Sequence, residues 1–403
     1  MEFSFIHTAD IHLGRAFADI DYELTADQKE ILKSAHEDAF RNLCKFAIEH
    51  NVDFILIAGD TFDDCEHDLH SRLILISELR KLDAHGIDTY IICGNHDPSY
   101  SYTNELAFKD SEKIRIFGVN SETKPTIIYK NNQPIAQIFP FGFKTNEYKD
   151  SPCQALEKAT SKNIFNIGLI HCDTLGDKNS YAPCTEKELL ELDYDYYALG
   201  HIHKPCEHGK IVYSGTIQAR SKKDEGEHGF KHIIVKNNQI VENNFISCDN
   251  VRYYNIEYNI SEDNNPTETV EKINEIITEI KKDISLAIIS ITLKGICKYK
   301  KTDLDDFKQE LTSSDVIINE FIDKSSFNSD RNDILTNGGI LARILLNTAN
   351  KSELDEILKK TKEELRETLK LVDDINDNDI IPAAITLAET TCGEIYGRSD
   401  DCE

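Results

Sequence analysis

Seven side chains that can bind metal ions share one kind of position in this sequence, shortly after a stretch of apolar residues. They form five groups along the chain: Asp10 with His12, Asp60, Asn95, His171, and His201 with His203. Carboxylate, amide and imidazole groups together suit ions such as manganese, iron or zinc. Seven ligands are too many for one tetrahedral zinc ion. The sequence therefore predicts two divalent ions, with Asp60 as the carboxylate that bridges them.

The charge of such a site indicates its substrate. Two divalent cations and the carboxylates of Asp10 and Asp60 leave a surplus of positive charge, which attracts an anionic ester. Paired ions about 4 Å apart activate water and stabilise both the attacking and the leaving oxygen of an in-line displacement. His96 follows Asn95, so in extended backbone its side chain diverges from that ligand. These features predict phosphoester hydrolysis with His96 as general acid and Asp97 orienting its ring.

The apolar stretches before the five groups predict the strands that position them. These stretches are residues 3–6, 54–58, 90–93, 167–170 and 196–199. Near-continuous apolar runs are typical of parallel strands that are buried on both faces. The carboxyl ends of such strands meet at one edge of a sheet, where ligands bind. We expect Asp10 and His12 to point the same way because residues two apart do so in extended backbone.

Helical periodicity alternates with these strands and predicts an α/β fold. A capping box at residues 25–28 opens a helix that Asn51 ends, and Pro266 opens another. Asn131-Asn132 and Asn237-Asn238 predict hairpin turns. We predict a catalytic domain at residues 1–248, a small α/β domain at residues 249–330 and a helical region at residues 331–403.

The order and spacing of these motifs resemble the calcineurin-like metallophosphoesterase superfamily. The matching motifs are Asp10-x-His12, Gly59-Asp60, Gly94-Asn95-His96-Asp97, His171 and Gly200-His201-x-His203. Residues 7–14 and 200–205 look like the DNA-repair exonuclease branch, of the SbcD and YhaO type. The resemblance covers residues 1–250. It implies a layered β-sandwich flanked by helices, with a small α/β capping domain.

The resemblance also implies ligands, activity and partners. One ion would be held by Asp10, His12, Asp60 and His203, and the other by Asp60, Asn95, His171 and His201. Manganese would be the activating ion. The branch implies 3′-to-5′ exonuclease and endonuclease action on DNA, a homodimer, and a coiled-coil ATPase partner of the SbcC type. Because the sequence lacks a G-x-x-x-x-G-K-[ST] motif, that ATPase would be a separate chain.

Three features depart from this expectation or leave it open. Asp63 stands where many relatives carry a second histidine after Gly-Asp. The formal net charge is −27, which counts against tight DNA binding by this chain alone. A leucine stripe that includes Leu358, Leu365 and Leu369 would be either a docking surface for the partner or ordinary core packing.

Two other functions remain open at the level of sequence. A phosphodiesterase or phosphomonoesterase acting on a small nucleotide would use the same ligands. A non-catalytic scaffold on a phosphoesterase fold is the other alternative, although every ligand and His96 are present. The 11 cysteines show no C-x-x-C spacing, and neither a secretory signal nor a membrane-length apolar run is visible. We expect a cytoplasmic protein that begins at Met1 and does not enter membranes.

Overall fold

The computed structural model describes most of the chain up to residue 327. The described residues are 1–17, 20, 24–63, 68–102, 108, 111–174, 181–297 and 304–327. The helical region predicted at residues 331–403, with its leucine stripe, lies outside them.

Two six-stranded sheets form the larger part of the fold. The first has the order β12-β11-β1-β2-β3-β4 and the second β5-β6-β7-β8-β10-β9. The strands of the first sheet are β1 (Glu2–Thr8), β2 (Phe54–Ala58), β3 (Asp88–Ile92), β4 (Ile114–Ile116), β11 (Gly229–Lys236) and β12 (Gln239–Ser247). Those of the second are β5 (Thr126–Lys130), β6 (Gln133–Phe141), β7 (Phe165–His171), β8 (Tyr196–Gly200), β9 (Cys206–His208) and β10 (Ile211–Tyr213).

The central strands of both sheets are parallel and the outer ones antiparallel. Strands β1 to β4 pair in parallel, as do β6 to β8 and β10, whereas β11, β12, β5 and β9 pair antiparallel. Every residue of β2, β7 and β8 is buried. Parallel strands therefore deliver their carboxyl ends to one edge, as the apolar stretches predicted.

The two sheets pack face to face around an aromatic core. Phe5 and Phe54 stack with ring centroids 5.0 Å apart, and Phe165 and Tyr196 approach Phe5 from the second sheet. Alternate residues of the same strands face the other way, so that Ile55, for example, joins a separate core. The layered α/β sandwich predicted from the sequence is confirmed.

Helices α1 (Ala26–Glu49) and α2 (Leu69–Ala84) cover the outer face of the first sheet through Leu43 and Leu79. The predicted capping box is present, because Thr25 and Gln28 each bond the other's backbone N–H. Asn51 follows α1 in the left-handed conformation that often ends a helix. A short helix, α3 (Glu186–Leu190), precedes β8.

Asparagine pairs form the two hairpin turns, as predicted. Asn131 and Asn132 have φ values of 51° and 60°, and Asn237 and Asn238 have 53° and 59°. Positive φ at both central residues is the requirement of the type I′ turn.

The rest of the described chain is a smaller mixed region. Its elements are β13 (Val251–Asn259), α4 (Pro266–Ile280), β14 (Leu286–Lys294), β15 (Ile296–Cys297), α5 (Leu304–Leu311), β16 (Val316–Asp323) and β17 (Ser326–Phe327). Strands β13, β14 and β16 form a three-stranded sheet and β15 pairs with β17.

The chain divides into two compact units. One comprises residues 1–256, 275–291 and 311–320, and the other residues 257–274, 292–310 and 321–403. The domain boundaries at residues 248 and 330 stay a prediction. No helix among the described residues has an apolar stretch long enough to cross a membrane.

Candidate metal centre

The seven predicted ligands converge at the edge where the carboxyl ends of both sheets meet. Asp10 and His12 follow β1, Asp60 follows β2 and Asn95 follows β3, so four ligands come from the first sheet. The other three come from the second sheet: His171 ends β7, and His201 and His203 follow β8.

One half of the centre lies around Asp10. The carboxylate of Asp10, His12 and His203 each place a ligand atom within 4.8 Å of the others. The Nε2 atoms of His12 and His203 are 3.3 Å apart, and His203 Nε2 is 3.9 Å from an Asp10 oxygen. His12 Nε2 is also 4.0 Å from Asp60 Oδ2. These four side chains could together hold one ion.

The other half lies around Asn95. Its side-chain oxygen is 3.0 Å from His171 Nε2 and 3.2 Å from His201 Nδ1. Asp60 Oδ2 is 3.5 Å from the same nitrogen of His171. Asp60 thus faces His12 on one side and His171 on the other, which is the position that a bridging carboxylate requires.

A backbone carbonyl determines which nitrogen of His171 can bind a metal. His171 Nδ1 lies 2.8 Å from the carbonyl oxygen of Ala58. Because a carbonyl oxygen only accepts, Nδ1 carries the hydrogen and Nε2 keeps its lone pair toward Asn95 and Asp60. Metal-binding histidines commonly have such a partner on the other ring nitrogen.

Burial sets the charge state of the centre. It lowers the pKa of His12 and His203, and that of His201 to about 4, so these imidazoles are neutral at pH 7. Neutral imidazole is the form that binds metal. Burial first, and then repulsion from Asp60, raises the pKa of Asp10. Among the described residues, no lysine or arginine lies within 4.0 Å of either carboxylate. This donor set fits two cations.

The backbone around the ligands departs from the expected extended conformation. Asp10, His12 and Asp60 have φ values of 50°, 49° and 51°, and His201 has 99°. The expectation that Asp10 and His12 share a direction because they lie in extended chain is wrong, since β1 ends at Thr8. Left-handed backbone is costly for such residues and is concentrated at functional sites. Hydrogen bonds from the two backbone N–H groups of Asp10 and His12 to Gly59 and Asp60 hold this loop.

Glycines allow the loops to approach each other. A methyl group on Gly94 would lie 2.0 Å from Asp60 Oδ1, and one on Gly200 would lie 2.0 Å from the Ala58 carbonyl oxygen. The absence of a side chain at these two positions is therefore a steric requirement of the centre.

His96 lies beside the first half of the centre. Its ring meets that of His12 edge to face with centroids 5.1 Å apart, and its Nδ1 lies 2.8 Å from the carbonyl oxygen of Asp63. Its backbone N–H donates to Asp60 Oδ1 at 2.9 Å.

Asp97 does not orient the His96 ring, contrary to the sequence-based interpretation. Its buried carboxylate instead accepts the backbone N–H groups of Asp60, Thr61, Phe62 and Gly94 and the hydroxyl of Tyr102. Asp97 therefore joins the loop after β2 to the loop after β3. The missed signal was its position three residues after Gly94, which suits a carboxylate that closes a turn.

Two residues of the centre had no predicted role. Asp63 Oδ1 lies 3.2 Å from His12 Nδ1, although not in good hydrogen-bond alignment, and its Oδ2 accepts from Arg15 at 3.2 Å. Arg220, in the loop after β10, contacts both His12 and His203. No motif marks Arg220, because the loop that carries it has no apolar stretch of the kind that precedes the ligands.

The fold and this centre define a metallophosphoesterase. Residues 3–205 match the family model for the calcineurin-like phosphoesterase, and the chain belongs to that family. It is therefore a hydrolase of phosphoesters with a candidate two-metal site.

Three relatives indicate its neighbourhood within the family. The chain is 27% identical over 335 residues to the uncharacterized metallophosphoesterase YhaO of Bacillus subtilis, with 80% of each chain covered. It is 26% identical to the DNA double-strand break repair protein Mre11 of Sulfurisphaera tokodaii, over 49% of this chain and 48% of that one. It is 24% identical to the SbcD subunit of the nuclease SbcCD of Escherichia coli K12, over 59% and 66%. The predicted SbcD and YhaO branch is confirmed.

Proposed function

We propose that this chain is a two-metal phosphodiesterase that hydrolyses DNA, with 3′-to-5′ exonuclease and endonuclease action. The observation that carries the proposal is the convergence of seven ligand side chains on a shared Asp60, with His96 beside them. The similarity to Mre11 and to SbcD supports DNA as the substrate.

The proposed ligands follow the two halves of the centre. Asp10, His12, Asp60 and His203 would bind one ion, and Asp60, Asn95, His171 and His201 the other. Mixed oxygen and nitrogen ligands suit manganese, which we propose as the activating ion. When bound, the two ions supply an activated water and offset the negative charge that develops on the phosphate.

His96 is the proposed general acid. Because the Asp63 carbonyl oxygen can only accept, Nδ1 of His96 donates to it and Nε2 is the atom that would pass a proton to the leaving alkoxide. The backbone bond from His96 to Asp60 ties the position of this residue to the bridging carboxylate. General acid catalysis of this kind contributes about a hundred- to ten-thousandfold in rate.

The proposed partners are a separate coiled-coil ATPase of the SbcC type and a second copy of this chain. The SbcD relative is by its name one component of a nuclease with several subunits. The net charge of −27 also favours a partner that contributes to DNA binding. We propose that the protein acts in DNA repair in the cytoplasm.

The same charge favours a second candidate, hydrolysis of a small nucleotide ester. Such a substrate needs only the metal centre and no extended basic surface. The two candidates differ in the substrate and not in the ligands.

A manganese-dependent assay with three substrates tests the proposal. Linear double-stranded DNA labelled at its 3′ ends is compared with bis(4-nitrophenyl) phosphate and 4-nitrophenyl phosphate, for the wild type and His96→Ala. We expect release of labelled nucleotides by the wild type, lower by about a hundredfold or more in the variant, at an unchanged metal content of two ions. Loss of metal in His96→Ala would make His96 a ligand. Turnover of the small esters alone, even with the ATPase added, would favour the second candidate.

A further inference from the structure

Arg220 places a guanidinium group against two of the proposed ligands. Its side chain is only 20% exposed, and its Nη1 is 3.4 Å from His12 Nε2. Its Nη2 contacts His203 Nδ1 within hydrogen-bond distance. A guanidinium group carries only donors, so both contacts use lone pairs of the histidine rings.

These contacts compete with metal binding. A neutral imidazole has one nitrogen with an acceptor lone pair in the ring plane. If His12 and His203 give those lone pairs to an ion, neither ring can accept from Arg220. Two donors of the guanidinium then lack acceptors at the edge of the centre, and a buried donor without a partner is costly.

The loop holds the base of Arg220 in place. Asp224 Oδ2 accepts the backbone N–H groups of Arg220 at 3.1 Å and Ser221 at 3.2 Å. The Nε atom of Arg220 is 3.8 Å from the same oxygen and has no hydrogen bond to any described residue. Because the backbone is fixed, the guanidinium stays beside the centre when it leaves the two rings.

The two released donors have the geometry that phosphate requires. Parallel N–H groups of one arginine bind two oxygens of a phosphate at once, and the interaction is strengthened by charge. An anion bound between the ions would lie next to these donors. We propose that Arg220 is a substrate-binding residue, whose donors are freed by metal loading and then bind the non-bridging oxygens of the phosphoester. This inference rests on the proposed phosphodiesterase function, but not on DNA as the substrate.

Three variants test this role: Arg220→Gln, Arg220→Lys and, as the control, Lys223→Gln. The control removes one positive charge from an exposed position of the same loop. Two equilibrium measurements by calorimetry come first, the affinity for Mn²⁺ and the affinity of the manganese-loaded protein for inorganic phosphate. The KM and kcat for bis(4-nitrophenyl) phosphate follow.

We expect Arg220→Gln to bind Mn²⁺ as tightly as the wild type or more tightly, because no guanidinium competes for the two rings. Its phosphate affinity should fall about tenfold or more, because a charge-assisted pair of hydrogen bonds is lost, and its KM should rise accordingly. Arg220→Lys should recover part of the phosphate affinity, since it restores the charge but not the paired donors. Lys223→Gln should match the wild type.

Two results would overturn the role of Arg220. Unchanged phosphate affinity in Arg220→Gln would show that the guanidinium does not bind the anion. Weaker Mn²⁺ binding in both Arg220 variants would show that Arg220 only supports the ligands structurally. Neither result depends on DNA cleavage, so a wild type that hydrolyses the small ester but never DNA would reject the proposed substrate and leave this inference intact.

Discussion

At the scale of single residues, the side chains that bind metal could be found from sequence, whereas those that support them could not. The ligands stand in short motifs after apolar stretches, and each motif lies within a few residues of a strand end. Asp63, Asp97 and Arg220 act through partners that are distant in the chain. Arg220 and His12 are 208 residues apart, for example. Sequence spacing carries no signal for such contacts.

The bridging role of Asp60 predicts that one substitution affects both ions. Asp60→Asn removes a charge shared by both halves and leaves a weaker amide ligand. We expect the metal content to fall from two ions towards none, as measured by elemental analysis after gel filtration. Asp150→Asn, at an exposed position, is the control. One ion retained at full occupancy would contradict the bridge.

The contact of Asp63 with His12 predicts a smaller effect on metal affinity. Asp63→Asn should weaken Mn²⁺ binding by about 10- to 100-fold, because a carboxylate on the second nitrogen orients the ring and raises its basicity. Calorimetric titration measures this. Arg15→Gln is the matched control, since it removes the other partner of Asp63 and leaves His12 in contact. Equal affinity in Asp63→Asn and the wild type would show that this carboxylate does not support the ligand.

At the scale of elements, the strands were predictable because buried parallel strands leave continuous apolar runs. The capping box of α1 and the asparagine turns were equally visible, since each depends on local chemistry. The conformation of the ligand loops was not. Left-handed backbone at Asp10, His12 and Asp60 is imposed by bonds between loops, and local preference alone favours other conformations at these residues.

The close approach of the loops after β2 and β3 predicts that Gly94→Ala disrupts the centre. The added methyl group would lie 2.4 Å from the backbone nitrogen of Asp60, which cannot move freely because Asp97 binds it. We expect loss of metal and a decrease in unfolding free energy of about 1–3 kcal/mol or more. Urea denaturation and metal analysis measure both.

Gly209→Ala separates this clash from a general effect of replacing glycine. Its added methyl group would meet nothing within 4 Å, and only the left-handed φ of 63° opposes it. It should keep both ions. Normal metal content in Gly94→Ala would mean that the loops can separate without loss of the site.

At the scale of the whole molecule, buried histidines predict a loss of stability in acid. His36 in α1 is 2% exposed, and neither ring nitrogen has a hydrogen-bond partner among the described residues. Burial lowers its pKa from 6.5 to about 3. Between these values the unfolded chain binds a proton that the folded chain does not. Stability from this group is therefore complete above pH 6.5 and falls by about 1.4 kcal/mol per pH unit towards pH 3.

His36→Leu should remove this contribution. We expect the unfolding free energy of the variant, measured with urea at pH 7 and pH 5, to fall less between the two than that of the wild type. His7 is also buried, with a pKa lowered to about 3 by burial, so part of the acid sensitivity should remain. His85→Leu, at an exposed position, serves as the control. An identical decrease in His36→Leu and the wild type would contradict the assignment.

The division of the ligands between the two sheets has a consequence for stability. Each proposed ion would be held by residues that follow strands of both sheets, so the equilibria of metal binding and of sheet separation are thermodynamically linked. Metal that binds only the folded state adds about 2.7 kcal/mol when its free concentration is about 100 times its Kd. A chelator should therefore lower the melting temperature and speed amide exchange in β1 and β8 together. The ions would then be fasteners of the sandwich as well as reagents.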